Sequence, residues 1–426
     1  FSSSSFSSAC SNPSRASFLT GLRPDKTGVQ DNNDFFRQKL PNVVTLPELF
    51  KQNGYFTASV GKIFHRGGTM EEINEHMADR QSWSHLRFFQ GTPLGQLGEG
   101  RNLTGGELAW CRWLAANGGD EDQPDGQVAA EAVRLINEKH KDSFFLAIGF
   151  HKPHDPFIAP KKYFDMYPLD QIVVPELKED DLDDLPPLAK AVSDGIGSFA
   201  DKVIESGKHK EAVQAYLATT TYVDTQMGRV LDALEKSPYK DNTIVVLLTD
   251  HGFHLGEKHH WQKTTLWEEG THTLLMFRAP GVTKAGGVSQ RFVSLMDMYP
   301  TLAELCGLTP PAYIDGRSLV PLLKDPKSPW ESTAVTGLCD KGKTDLAYIS
   351  IRNELGRYTR YGAKEEEFYD TTQDPHEWTN QIDNPKYATT IKTLRALVPS
   401  FEDAAPPLPS ALTKERRETR KEKKTK

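Results

Sequence analysis

The chain has 426 residues, 37% of them hydrophobic, and a formal net charge of −7. That length and apolar fraction support sizeable buried cores and exclude global disorder, a collagen-like repeat and a small disulfide scaffold. Residues 411–426 carry eight Lys/Arg and three Glu, which leaves the body near −12, so no nucleic-acid groove is expected on it.

No apolar run approaches the roughly 18 residues of a membrane-crossing helix, so no membrane span is expected. Cys10, Cys111, Cys306 and Cys339 form no C-x-x-C pair and no zinc spacing. There are no internal repeats.

In chain order, residues 1–8 are Ser-rich and uncharged. They lack the basic start of a signal peptide, and the expectation is that further sequence precedes Phe1. Cys10-Ser-Asn-Pro-Ser-Arg-Ala-Ser-Phe-Leu-Thr-Gly21 then places a Ser cap before a short helix starting near Pro13. Asn102-Leu-Thr104 matches a glycosylation sequon, a triplet common by chance. Apolar residues at helical spacing over 128–138 precede a continuous apolar run, 144–150, of strand length. His151-Lys-Pro-His154 follows at once. The acidic, Pro-containing stretch 176–188 reads as a surface loop. A second amphipathic helix over 216–234, a Ser237-Pro238 turn and a second apolar strand, 243–249, lead into Asp250-His251-Gly252.

A helix, a short loop and a buried strand, twice over, predict a parallel sheet covered on both faces. Ligands bind such sheets at the carboxyl ends of the strands. The two polar clusters are therefore candidates for one site. After about residue 329 the pattern changes to short strands, at 347–351, 357–361 and 367–369, and a helix over 386–398. Residues 404–409 are Pro-rich and break the chain before the basic tail. The expected organisation is a catalytic domain over 1–329, a C-terminal unit over 330–403 and a solvated tail over 404–426.

The first cluster resembles the signature of the sulfatase family, in which a Cys or Ser two residues before Pro-x-Arg is converted to formylglycine. Counting back from Pro13 gives Ser11; Cys10 fits only with one residue inserted. Val60-Gly-Lys-Ile-Phe-His65 resembles the family's Lys/His pair at Lys62 and His65. Phe150-His-Lys-Pro-His-Asp-Pro156 resembles its Pro-His-x-Pro element and puts the active-site histidine at His154. Leu248-Thr-Asp-His-Gly252 resembles the metal-binding element, and 256–263 supplies a sulfate-contacting lysine, Lys263. Order and spacing look most like the iduronate-2-sulfatase branch, over residues 11–380.

The resemblance implies an α/β fold of the alkaline-phosphatase type. A mixed, mostly parallel sheet lies between helices, with a small C-terminal antiparallel sheet-plus-helix unit. It implies hydrolysis of a sulfate ester on an alcohol, such as a sulfated sugar or glycan, in a periplasmic or secreted setting. A formylglycine-generating or Ser-type maturation enzyme would be a partner. Arg15, Lys62 and Lys263 are cations suited to sulfate oxygens. His154 would protonate the leaving alcohol, and His65 would bind the nucleophile. A Ca²⁺ ion would be held by Asp250, His251 and the modified Ser11, with two further Asp from a first strand that has no counterpart here. The strand ending at Thr249 should then border an open edge. Singly, each residue has a plainer role: Lys62 as a solvated lysine, Asp250 as a turn cap, Glu257-Lys-His-His260 as a polar rim. Only their joint order favours the enzyme over two rivals. These are a phosphonate or phosphodiester hydrolase of the same superfamily and an inactive glycan-binding pseudoenzyme.

Overall fold

The computed structural model describes residues 1–399 apart from 2–3, 6–9, 30, 31, 33, 66–77, 139, 141, 195–198, 332 and 340–346. The basic tail, 404–426, lies outside the described residues. The first long element is α1, Ser11–Thr20. The centre of the molecule is built from parallel strands. β1 (Phe56–Gly61) pairs with β2 (Phe144–Gly149) in the register Phe56↔Phe144 to Gly61↔Gly149. On its other side β1 pairs, also in parallel, with His85–Arg87.

Helix α2 (Pro124–Asn137) leads into β2, and the long α3 (His209–Lys236) leads into β3 (Val245–Leu248). Alternation along the strands explains the layers. Leu146, Ile148 and Val245 pack with Ala129, Ala132, Ile136, Val230 and Leu234 of α2 and α3. Phe145, Ala147, Val246 and Leu248 turn the other way, into a core with Phe18 and Leu19 of α1. Helices thus cover both faces, as the sequence predicts.

β3 pairs antiparallel with β4 (Leu275–Arg278). Among the described residues no strand lies on the other edge of β3, nor on the edge of β2 away from β1. Every residue of β2 and β3 is only half-buried, although both sequences are those of buried strands. Among the described residues, then, the edge beside Thr249 carries no partner strand. Ser4–Ser5 does not fill it; this strand pairs with His272–Thr273 and Val293–Ser294.

A second small sheet, Gly98–Asn102, Arg112–Ala116 and Phe157–Pro160, packs on α3. The C-terminal unit is an antiparallel meander of β5 (Ala334–Cys339), β6 (Ala347–Asn353), β7 (Gly356–Tyr361) and β8 (Glu365–Tyr369). α4 (Ala388–Ala396) covers one face through Ile391 and Leu394, which meet Ile349, Ile351, Tyr358 and Phe368. The opposite face contributes Tyr348, Tyr361 and Tyr369 to the main core. Among the described residues no helix is long and apolar enough to cross a membrane.

Candidate functional site

α1 starts two residues before the predicted position, at Ser11, with Cys10 as its N-cap. No side chain caps it; the Cys10 carbonyl accepts from the Ser14 backbone N–H at 3.0 Å. Cys10 Sγ instead donates to Asn32 Oδ1 at 3.1 Å. Ser11 is fully buried at the helix start, its Oγ 3.0 Å from His251 Nε2. His251 Nδ1 lies 2.8 Å from the Gly252 carbonyl, which places the ring proton on Nδ1 and leaves Nε2 to accept from Ser11. Burial pulls His251 down to about 4, so the ring is neutral.

One turn further on, Arg15 donates through Nε to Asp250 Oδ2 at 2.8 Å and through Nη1 to the carbonyls of Lys62 and Ile63 at 2.8 and 2.7 Å. It thereby ties α1 to the ends of β1 and β3. Burial alone would raise Asp250, but Arg15, His251, Lys62 and Lys263 outweigh it and hold the carboxylate well below its usual range. Ser14 Oγ donates to the Asp250 carbonyl at 2.7 Å.

Lys62 follows Gly61, and that glycine is required. Its φ is +79°, and a Cβ there would lie 2.2 Å from the Gly149 carbonyl oxygen. The close β1–β2 approach delivers Lys62, almost fully buried, at the carboxyl end of the sheet. His65 lies among these cations. Burial, then Lys62, Arg15 and Lys263, push it down to about 2, and its Nδ1 has no hydrogen-bond partner among the described residues.

After β2 the chain places His154 Nε2 2.9 Å from Lys263 Nζ. His154 Nδ1 is 2.6 Å from the Asp155 carbonyl. The ring proton therefore sits on Nδ1, and Nε2 accepts from the lysine. Burial, Lys263 and Lys62 keep His154 well below its ordinary value. Burial likewise lowers Lys263. Direct contacts thus join Ser11 to His251, Arg15 to Asp250 and Lys62, and Lys263 to His154, while charge interactions link His65 to the group. All eight residues singled out from the sequence meet at the carboxyl ends of β1, β2 and β3.

Sequence reasoning missed the supports. Asp155 Oδ1 accepts from Gln262 Nε2 at 2.7 Å. Lys152, part of the polar cluster after β2, sends its ammonium to the carbonyls of His154 and Pro156 at 3.1 and 2.6 Å. Burial brings it down to about 8. The acidic stretch 176–188 is also not wholly a surface loop, since Asp181 is buried. The sequon asparagine is committed to its own turn: Asn102 Oδ1 accepts from the N–H of Thr104 and Gly106, and Nδ2 donates to Leu108.

With the histidines neutral, the cluster holds three cations against one firm carboxylate. Such a site favours an anion. Among the described residues Asp250 and His251 alone supply too few oxygen ligands for calcium, which takes six to eight. Among the described residues no three acidic, His or Cys side chains could hold a metal ion, and the Asp250 carboxylate is already paired with Arg15.

Comparison with known proteins identifies the family. The sulfatase family profile matches residues 1–308. A profile for the C-terminal region of N-sulphoglucosamine sulphohydrolase matches residues 256–403. A sulfatase of Formosa agariphila is 36% identical over 409 residues, covering 91% of this chain and 76% of the relative. Human iduronate 2-sulfatase is 33% identical over 384 residues, covering 80% and 66%. Among solved structures, a phosphonate monoester hydrolase from Silicibacter pomeroyi superposes with a TM-score of 0.76 at 20% identity, covering 93% of this chain and 86% of that one. That neighbour shares the fold; the closer sequence kinship, over nearly the whole chain, is with enzymes that cleave sulfuric esters. The chain belongs to the sulfatase family of sulfuric ester hydrolases.

Proposed function

We propose that this chain removes sulfate from a sugar alcohol, with Ser11 as the residue converted to formylglycine. The observation that carries the reading is the position of Ser11 Oγ, fully buried at a helix N-terminus beside His251, in a cluster that also holds Arg15, Lys62 and Lys263. Formylglycine, when present and hydrated, supplies the second hydroxyl that an ordinary serine lacks. His251 Nε2 accepts a proton from the side chain at position 11. Arg15, Lys62 and Lys263 neutralise the charge that accumulates on the sulfate oxygens. His154, paired with Lys263, stands where the leaving alcohol takes its proton. His65, neutral and without a hydrogen-bond partner at Nδ1 among the described residues, would accept one.

No step is assigned to calcium, because the described residues supply too few oxygen ligands. Further carboxylates would have to reach Asp250 along the open edge of β3. The sulfated glycan substrate, the maturation enzyme and an exported location follow from the kinship with sulfatases of sulfated sugars.

Mass spectrometry of the peptide containing Ser11 tests the modification. Loss of two hydrogens at Ser11 supports the enzyme, whereas an intact serine leaves an anion-binding pseudoenzyme. Rates on an aryl sulfate and an aryl phosphodiester, measured side by side, test the reaction. A faster phosphodiester would move the assignment to the phosphonate-hydrolase activity of the structural neighbour.

A further inference from the structure

The turn that carries Lys263 is built against backbone preference. Lys258, His259, Gln262 and Thr264 all have positive φ, at 55°, 50°, 83° and 81°. Side chains with a Cβ avoid this region, and residues stay there only where their surroundings over-determine them. The surroundings are explicit at Lys258, whose side chain is 1% exposed. Its ammonium pairs with Asp181 at 2.6 Å and donates to the Glu377 carbonyl. The rings of Trp267 and Tyr369 lie 5.7 and 5.4 Å away. Its own carbonyl accepts from Ser193 Oγ at 2.7 Å.

The C-terminal unit therefore grips the turn ahead of Lys263, and it grips behind it as well. Arg357 of β7, fully buried against Glu377 and Glu268, donates through Nη1 to the Leu266 carbonyl at 3.1 Å. Between the two grips the buried His260 lies with Nδ1 2.9 Å from the Ser193 carbonyl and Nε2 2.8 Å from the Lys263 carbonyl, and its one ring N–H donates to one of them. The result is a Lys263 side chain aimed at His154 by a backbone that relaxes elsewhere if released.

We propose that Lys258 is a positioning residue for Lys263: its buried ammonium pins the left-handed turn to Asp181 and to the C-terminal unit, which makes that unit part of the apparatus aiming the oxyanion-binding lysine. This inference rests on the reading of Lys263 as a ligand of the sulfate group. None of the residues that grip the turn touches the reacting atoms, so their effect passes through Lys263.

The test is calorimetric titration of inorganic sulfate into the full chain, alongside thermal melts, for Lys258→Met, Lys263→Ala and Ile391→Ala. Ile391 lies in the core beneath α4, so its truncation loosens the C-terminal unit without touching the turn. The expected result is about a tenfold loss of sulfate affinity in Lys258→Met, a loss at least as large in Lys263→Ala, and unchanged affinity in Ile391→Ala. Wild-type affinity in Lys258→Met, beside weakened binding in Lys263→Ala, overturns the positioning role and leaves the site intact. Wild-type affinity in Lys263→Ala overturns the site reading and the inference together. Equal weakening in Ile391→Ala also overturns the inference, because general loosening would then explain the effect. If Lys258→Met does not fold, Asp181→Asn, which removes the partner charge and keeps its shape, decides by the same measurement.

Discussion

His154 is the side chain whose removal best separates proton transfer from charge stabilisation. The structure gives both halves of the argument. Nε2 lies 2.9 Å from Lys263 Nζ, and Nδ1 faces the Asp155 carbonyl, so the resting ring accepts from the lysine and carries no charge. A bound sulfate ester brings negative charge against the same lysine and offsets the repulsion that keeps the ring neutral. The pair then holds one proton that can move to a leaving oxygen. General acid catalysis of this kind contributes about 10²–10⁴-fold, or roughly 3–5 kcal/mol of barrier at about 1.36 kcal/mol per decade. His154→Ala in the mature enzyme should lose most of that on a sugar sulfate and little on nitrophenyl sulfate, whose phenolate departs unaided. Lys263→Ala should slow both esters, since a cation about 4 Å from an oxyanion is worth roughly 4 kcal/mol at an effective dielectric constant near 20. kcat/KM for the two esters in the two variants is the assay. Equal losses for both esters in His154→Ala would refute the proton-transfer role and leave the ring a charge-stabilising one.

Other expectations follow from the same contacts. Gly61→Ala should cost about 2–4 kcal/mol in chemical denaturation, because its Cβ would meet the Gly149 carbonyl at 2.2 Å. Gly54→Ala, at φ +83° in open space, should cost only about 1–2 kcal/mol. Arg15→Ala should destabilise by about 3–5 kcal/mol by stranding the buried Asp250 carboxylate, and adding Asp250→Asn should recover part of the loss. Burial raises Glu367 to about 8, above its unfolded value, so its ionisation opposes folding as pH climbs through that range and is without effect below about 4. Glu367→Gln should therefore gain stability over wild type at pH 9, on the order of 3 kcal/mol, and not at pH 4; a gain equal at both pH values would refute this. Sulfate binding should take up protons at His65 and His154, which burial and the neighbouring cations hold neutral, so affinity should fall as pH rises. Calorimetry in buffers of different ionisation enthalpy reads that uptake directly.

The legible parts of this fold are those with one dominant signal. β2 shows in the sequence because an unbroken apolar run of strand length needs cover on both faces. α3 begins at His209 rather than 216 because its first turns pack through small residues, Ala212 and Ala215, which leave no strong apolar period. The sheet of Gly98–Asn102 and its partners was illegible: an edge strand reading Gly-Glu-Gly-Arg-Asn has neither alternation nor β-branching. β5 was missed for a similar reason, since Gly337 interrupts it. The site was legible as a set of residues and not as a set of contacts. Nothing in the spacing of His154 and Lys263 says that they touch. That contact depends on four left-handed residues and on a C-terminal unit read as a separate appendage.

The contacts distinguish Ser11 from Cys10 and support the proposal that Ser11 is the modified residue. Both lie at the start of α1, where backbone N–H groups point out of the helix end. Cys10 has extended backbone as the N-cap, and its sulfur turns to Asn32. Ser11 is the first helical residue, and its Oγ turns to His251, across the helix end from Arg15 and Asp250. The side chain at 11 faces the cluster in which three cations outnumber the paired carboxylate. Burial, with the neighbouring cations, lowers Lys263 and keeps His65 and His251 neutral. An oxyanion bound beside Ser11 opposes the part of each shift that comes from neighbouring positive charge. The free energy stored in desolvated cations is then released when the sulfate arrives, and most fully when charge on its oxygens is greatest. A site arranged this way binds the charge distribution of the transition state more tightly than that of the ester.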